Sequence, residues 1–167
     1  SLESAGCIIT IMRADCSHRA TLAAVIAAIP GTAPLRGIIH TAGVIEDRIL
    51  LEQDWTSFRR VSAPKAQGAW NLYELTRDLQ LDFMIFFSSA AGIVGSAGQA
   101  NYSAANSLMD AIAQFCRRAG IPALAVNWGP WSGGMAGQHR VKRNLTAFEE
   151  ITPETGFPLT RGSWPRR

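Results

Sequence analysis

Four apolar runs punctuate the chain: residues 7–13, 37–41, 81–87 and Ala123–Trp128. Each is the length of one strand, and their lack of alternation is the mark of strands buried on both faces. Between them the apolar positions recur every three or four residues. Residues 19–29 form one such helical stretch, stopped by Pro30-Gly31. Another opens at Ser62-Ala63-Pro64-Lys65 and runs to about Leu79, with proline tolerated in the first turn. Its spacing puts Lys65, Ala69, Leu72, Thr76 and Leu79 on one face. A third, from about Ala100 to Ala119, is expected to bury Ala105, Leu108, Met109, Ile112 and Cys116 and to turn Asp110, Gln114, Arg117 and Arg118 elsewhere. Strands alternating with helices predict an α/β protein with a parallel sheet and crossover helices.

Chemistry gathers where the third run ends. Phe87-Ser88-Ser89-Ala90-Ala91-Gly92 closes the strand with two hydroxyls, and a small-residue loop follows with Gly92, Gly95, Ser96 and Gly98. The next helix begins with Gln99-Ala100-Asn101-Tyr102-Ser103-Ala104-Ala105-Asn106, so Tyr102 and Asn106 share a face. A hydroxyl at the C-terminal end of a buried strand, opposite a phenol from the next helix, lies where open α/β sheets place ligands. Lys65, at the head of an otherwise inward face, is the second unusual feature. Taken alone, it reads better as a side chain snorkelling to water.

FSSAAG followed by QANYSAAN resembles the ketoreductase domain of type I polyketide synthases, within the short-chain dehydrogenase/reductase superfamily. The resemblance runs from about Leu2 to Gly137 and implies a Rossmann-like fold. It implies a catalytic set of Lys65, Ser89, Tyr102 and Asn106, with asparagine rather than lysine four residues after the tyrosine. It also implies that Asp15, at the end of the first run, contacts the adenine of NADPH. Read by themselves, Asp15 or Ser17 simply cap the following helix. Cys16, His40, Thr41, Ala42, Gly43, Ser88, Trp128 and Gly129 would line the same cofactor with Lys65 and Tyr102. His40 on its own reads as a satisfied core histidine. Val44-Ile45-Glu46-Asp47 resembles the Leu-Asp-Asp signature of B-type domains, which give a D-hydroxyl, with Asp47 matching the last position. The other class carries tryptophan eight residues before the tyrosine, where this chain has Val94. Gln99 and Met135 join Asp47 and Val94 as expected substrate and stereocontrol positions.

Composition narrows the alternatives. The 167 residues are 47% hydrophobic and 17% charged, the balance of a globular domain. The net charge of +3 comes from residues 138–167, while the body is balanced, which disfavours nucleic-acid binding. Cys7, Cys16 and Cys116 are scattered and the three histidines lack ligand spacing, so neither disulfides nor a metal site is expected. No apolar run reaches membrane-spanning length, no signal segment is evident, and a cytoplasmic setting is expected.

The resemblance also marks what the sequence lacks. No G-x-G-x-x-G precedes Asp15, and the first two strands of the family's 3-2-1-4-5-6 order are absent. Residues 1–137 are therefore expected to form the catalytic part of an incomplete Rossmann-like domain, and 138–167 a divergent or truncated tail without the family's last helix. The expected activity is NADPH-dependent reduction of a β-ketoacyl thioester to the β-hydroxyacyl thioester. Its partners would be an acyl carrier protein and neighbouring synthase domains, with neither nucleic acid nor membrane involved. A fatty-acid-synthase or free-standing reductase, and a non-catalytic remnant, are the competing readings.

Overall fold

The computed structural model describes residues 3–132 and 149–160. Its sheet has three parallel strands in the order β1 (Gly37–His40), β2 (Phe83–Ser89) and β3 (Ala123–Trp128). Ile38 pairs with Met84, and Ser88 and Ser89 pair with Asn127 and Trp128. The helices are α1 (Arg19–Ala27), α2 (Trp55–Ser62), α3 (Gly68–Thr76), α4 (Ala91–Val94), α5 (Ala100–Arg118) and α6 (Pro153–Thr160). A crossover through α2 and α3 joins β1 to β2, and one through α4 and α5 joins β2 to β3. This is the predicted Rossmann-like α/β architecture, with an incomplete sheet.

The core lies between the sheet and α1, α3 and α5. Ile38, Met84, Phe86 and Ala123 meet Leu22, Ala69, Leu72, Met109, Ile112 and Cys116 there. On the opposite face of the sheet Ile39 is 50% exposed.

Two expectations are corrected. Residues 7–13 form no strand: Ile8 is 98% and Ile11 92% exposed. A strand exists only through a ladder, and among the described residues no segment bridges residues 7–13 to β1. Second, the helix around Lys65 does not begin at Pro64. It begins at Trp55, where Asp54 caps it by accepting a hydrogen bond from the Ser57 N–H at 2.7 Å. Pro64 therefore falls inside the helical run, where it lacks a donor and crowds the preceding turn. The chain widens into a π-turn over Ala63–Gln67, with the Gly68 N–H reaching back to the Ala63 carbonyl. In the tail, a helix forms at Pro153–Thr160. Thr152 and Thr155 hydrogen-bond each other's backbone N–H at its start, and Pro153 needs no partner there. Residues 138–148 and 161–167 lie outside the described residues.

Two stripes also differ in detail. Leu108 and Leu79 are exposed rather than inward, whereas Asp110 is drawn inward to Asn127. The remaining positions on the inward faces, Ala69, Leu72, Thr76, Ala105, Met109, Ile112 and Cys116, are buried as expected.

Candidate active site

The π-turn sets Lys65 inward. Its residue is 2% exposed, and its ammonium donates to the Phe87 carbonyl at 3.1 Å, one residue short of the Ser88-Ser89 pair. The same nitrogen stands over the Tyr102 ring, 5.3 Å from its centroid, within range of a cation–π attraction. Burial pushes the Lys65 pKa down to about 8, with the Asp110 carboxylate opposing the shift. Gly43 makes room for this side chain, since a Cβ there would sit 2.9 Å from Lys65 Cε.

Tyr102 and Asn106 occupy successive turns of α5. The fully buried Asn106 donates from Nδ2 to the Tyr102 carbonyl at 2.7 Å, and its Oδ1 is buried with no hydrogen-bond partner among the described residues. Ser88 Oγ lies 3.4 Å from the Asn106 carbonyl that accepts from it. Ser89 Oγ accepts from the Ala91 N–H at 3.2 Å, turning the chain into α4. Gly92 then packs on α5 at Asn106. The structure thus brings Lys65 to Tyr102 directly, and the tip of β2 to both Lys65 and Asn106.

The other expected positions fall around this centre with different parts to play. His40 is buried and donates from Nε2 to the Lys65 carbonyl at 3.1 Å; burial lowers its pKa, so the imidazole stays neutral and structural. Thr41, Ala42 and Gly43 follow β1 towards Lys65. Cys16 is half-buried and points its thiol at the Pro64 carbonyl, 3.4 Å away. Gly68 is needed opposite it, because a Cβ there would meet Cys16 Sγ at 2.8 Å. Asp15 accepts from both the side chain and the N–H of Ser17, the side-chain bond being the larger cause of its lowered pKa. The N-cap of α1 is His18, so Asp15 closes the turn before the helix rather than capping it. Trp128 is buried, with its carbonyl accepting from the Ala90 N–H, and Gly129 follows beside Ile151. Val94 closes α4 on the surface. Met135 lies outside the described residues.

Asp47 is tied to the start of α5. Its Oδ1 accepts from Gln99 Nε2 at 2.7 Å, and the Arg48 N–H donates to the Gly98 carbonyl at 2.9 Å. A residue missed in the sequence completes this seam. Asn101, immediately before Tyr102 and fully buried, donates to the Glu46 carbonyl and Ser57 Oγ, both at 2.9 Å. Gln53 Oε1 accepts from its N–H at 3.2 Å. A buried amide flanking the phenol was the available signal. Asn101→Ala is expected to cost about 2–3 kcal/mol, because buried acceptors lose their donor; urea denaturation checks it, and a loss under 0.5 kcal/mol (about the noise of a surface change) contradicts the seam.

A parallel α/β sheet with a buried lysine, a tyrosine and paired serines at its C-terminal strand tips defines the class, a Rossmann-like protein with its site at the strand ends. The KR domain family model matches residues 1–133, and the chain belongs to that family, the ketoreductase domains of type I polyketide synthases. It is 45% identical over 153 residues to the spectinabilin polyketide synthase system protein NorB of Streptomyces orinoci, covering 87% of this chain and 7% of that protein. With mycoketide-CoA synthase of Mycobacterium tuberculosis it shares 45% identity over 141 residues, covering 81% of this chain and 3% of the synthase. Among solved structures, an A-type ketoreductase from a modular polyketide synthase superposes with a TM-score of 0.90 at 36% identity, covering 96% of this chain and 34% of that one. The chain thus spans about a third of that ketoreductase and a few per cent of the synthases. Among the described residues no helix is long and apolar enough to cross a membrane, and no side-chain cluster suits a metal ion.

Proposed function

We propose that the chain is the catalytic part of an NADPH-dependent β-ketoreductase. It would reduce a β-ketoacyl thioester held on an acyl carrier protein to the D-hydroxyacyl thioester, the B-type outcome. The observation that carries this reading is the buried Lys65 ammonium, held between the tip of β2 and the ring of Tyr102.

The residues present suit the nicotinamide–ribose end of such a cofactor. Lys65 makes one hydrogen bond among the described residues, so an ammonium with three N–H groups has donors left for ribose hydroxyls. Asn106 Oδ1 is a buried acceptor in want of a donor. When bound, a reduced nicotinamide supplies the hydride. Tyr102 gives its hydroxyl proton to the ketone oxygen as negative charge develops there. The Lys65 ammonium beside the ring offsets the negative charge that this transfer leaves on the phenol oxygen. Ser89 donates a hydrogen bond to the same oxygen. Asn106 receives and orders the water through which Lys65 replaces the lost proton. Membership of a synthase family supports NADPH as the reductant and a carrier-bound substrate. That the relatives are polyketide synthases, of which this chain spans a few per cent, supports neighbouring synthase domains as partners.

Stereochemistry rests on the seam between Asp47 and Gln99, which fixes the loop after β1 against the start of α5, and on Val94 where the other class has tryptophan. A complete ketoreductase domain carrying this segment tests both parts. With a β-ketoacyl pantetheine thioester and NADPH, loss of reduced-nicotinamide absorbance and a D-hydroxyl product are expected. No reduction overturns the activity; an L-hydroxyl product overturns the B-type reading alone.

A further inference from the structure

Cys16 and His40 are two side chains close to Lys65 that the mechanism above leaves without a part, and both meet the backbone of the π-turn. The Cys16 thiol reaches the Pro64 carbonyl at 3.4 Å, and His40 Nε2 lies 3.1 Å from the Lys65 carbonyl. A carbonyl can only accept, so the imidazole carries its hydrogen on that nitrogen. The two donors come from separate parts of the chain, one from the turn before α1 and one from the end of β1. Gly68, where the π-turn closes, packs against both: a Cβ there would sit 2.8 Å from Cys16 Sγ and 3.1 Å from His40 Cε1. The Cys16 segment is itself tied down, because Asn71 Nδ2 on α3 donates to the Cys16 and Ser17 carbonyls, both at 2.9 Å.

An α-helix advances about 100° per residue, so the extra residue taken up by a π-turn re-aims the side chains beyond it by about that angle. Lys65 lies inside this turn and is buried, as are Ala69, Leu72 and Thr76 on α3 just after it. A regular helix through the same run would turn one of these two sets away from the core. Pro64 loosens the helix and lets it widen, but a proline does not fix which way the next side chain points. Carbonyl oxygens do offer a grip, since each has two lone pairs and accepts a donor from outside the helix as well as one from within. Here two successive carbonyls are gripped in this way.

We propose that Cys16 and His40 are positioning residues of this site: as paired donors to the Pro64 and Lys65 carbonyls they hold the π-turn in place and keep the Lys65 ammonium at the Phe87 carbonyl and over the Tyr102 ring. The kinetic consequence rests on the reductase reading; the placement of Lys65 does not. In a complete domain carrying this segment, His40→Leu removes the donor and keeps most of the volume. It is expected to lower kcat for ketone reduction by roughly 10–100-fold, up to the cost of a misplacement of about 1 Å. Reductive methylation of Lys65, read by mass spectrometry without turnover, is expected to quicken about fivefold, the equivalent of one hydrogen bond. His40→Gln places an amide N–H near the position of Nε2 and is expected to recover most of both losses, which a packing role would not do. Cys16→Ala is expected to move both readouts the same way by less, a thiol being a weak donor. It serves should His40→Leu fail to fold, with Cys16→Ser as the variant that keeps a donor. A folded His40→Leu or Cys16→Ala domain with wild-type kcat and wild-type Lys65 labelling overturns the inference, as does a donor-keeping variant as impaired as its donor-free counterpart. A wild-type domain that reduces no ketone, but whose Lys65 labelling still responds to His40→Leu, overturns the reductase reading instead.

Discussion

Tyr102→Phe, made in a complete ketoreductase domain carrying this segment, is expected to lower ketone reduction by roughly 10²–10⁴-fold, the usual worth of a positioned acid. The substitution isolates one atom. The ring that Lys65 stands over is retained, as are the backbone bonds from Tyr102 to Asn101 and Asn106. Circular dichroism and thermal unfolding should therefore match the wild type, and affinity for reduced nicotinamide should change little. Turnover within a factor of about three of wild type would remove the phenol from its role, because the loss of a general acid is never that small when proton transfer contributes.

The second large effect separates stability from function. Lys65 is buried, and its pKa is pushed from an ordinary 10.5 down to about 8. At about 1.4 kcal/mol per pH unit, a charged lysine there costs the fold roughly 3 kcal/mol at neutral pH. Both folded and unfolded chains carry the proton below pH 8, so the cost is constant there. Between about pH 8 and 10.5 the unfolded chain binds the extra proton, and stability rises with pH. Lys65→Met fills the space without the charge. It forfeits the hydrogen bond to the Phe87 carbonyl, worth about 1 kcal/mol, and is expected to leave the domain roughly 1–2 kcal/mol more stable at pH 7. The gain should close as the pH approaches 10.5, while ketone reduction is lost. Urea denaturation at several pH values measures this. A less stable variant, with no convergence at high pH, would show that the lysine is held for the fold and not for chemistry.

How far the sequence anticipated this arrangement depends on whether the cause was local. The tip of β2 and the pairing of Tyr102 with Asn106 were legible, since a strand ending in serines and a four-residue helical step leave direct traces. Lys65 was legible as an inward lysine, but its setting was not. A proline read as a helix start proved to be a π-turn within a longer helix, because Asp54 had already capped the chain ten residues earlier. Residues 7–13 have the composition of a buried strand and the exposure of a loop; β propensity describes a fit to neighbours, and the described residues supply no neighbouring strand. Asp110 was assigned to the outward face because charge argues for solvent. The signal against that was Asn127, a polar residue in an otherwise apolar strand, placed by the sheet register within reach of the carboxylate. Asn101 and the Asp47–Gln99 bond join segments more than forty residues apart, which no local pattern encodes.

The most direct measurement is a crystal structure of a complete domain carrying this segment with a β-ketoacyl thioester analogue in its cleft. The ketone oxygen should lie within hydrogen-bond distance of both Tyr102 Oη and Ser89 Oγ, with the Lys65 ammonium and Asn106 Oδ1 behind the phenol. A ketone oxygen that touches neither hydroxyl, with Lys65 facing away from the bound analogue, would contradict the account at its centre.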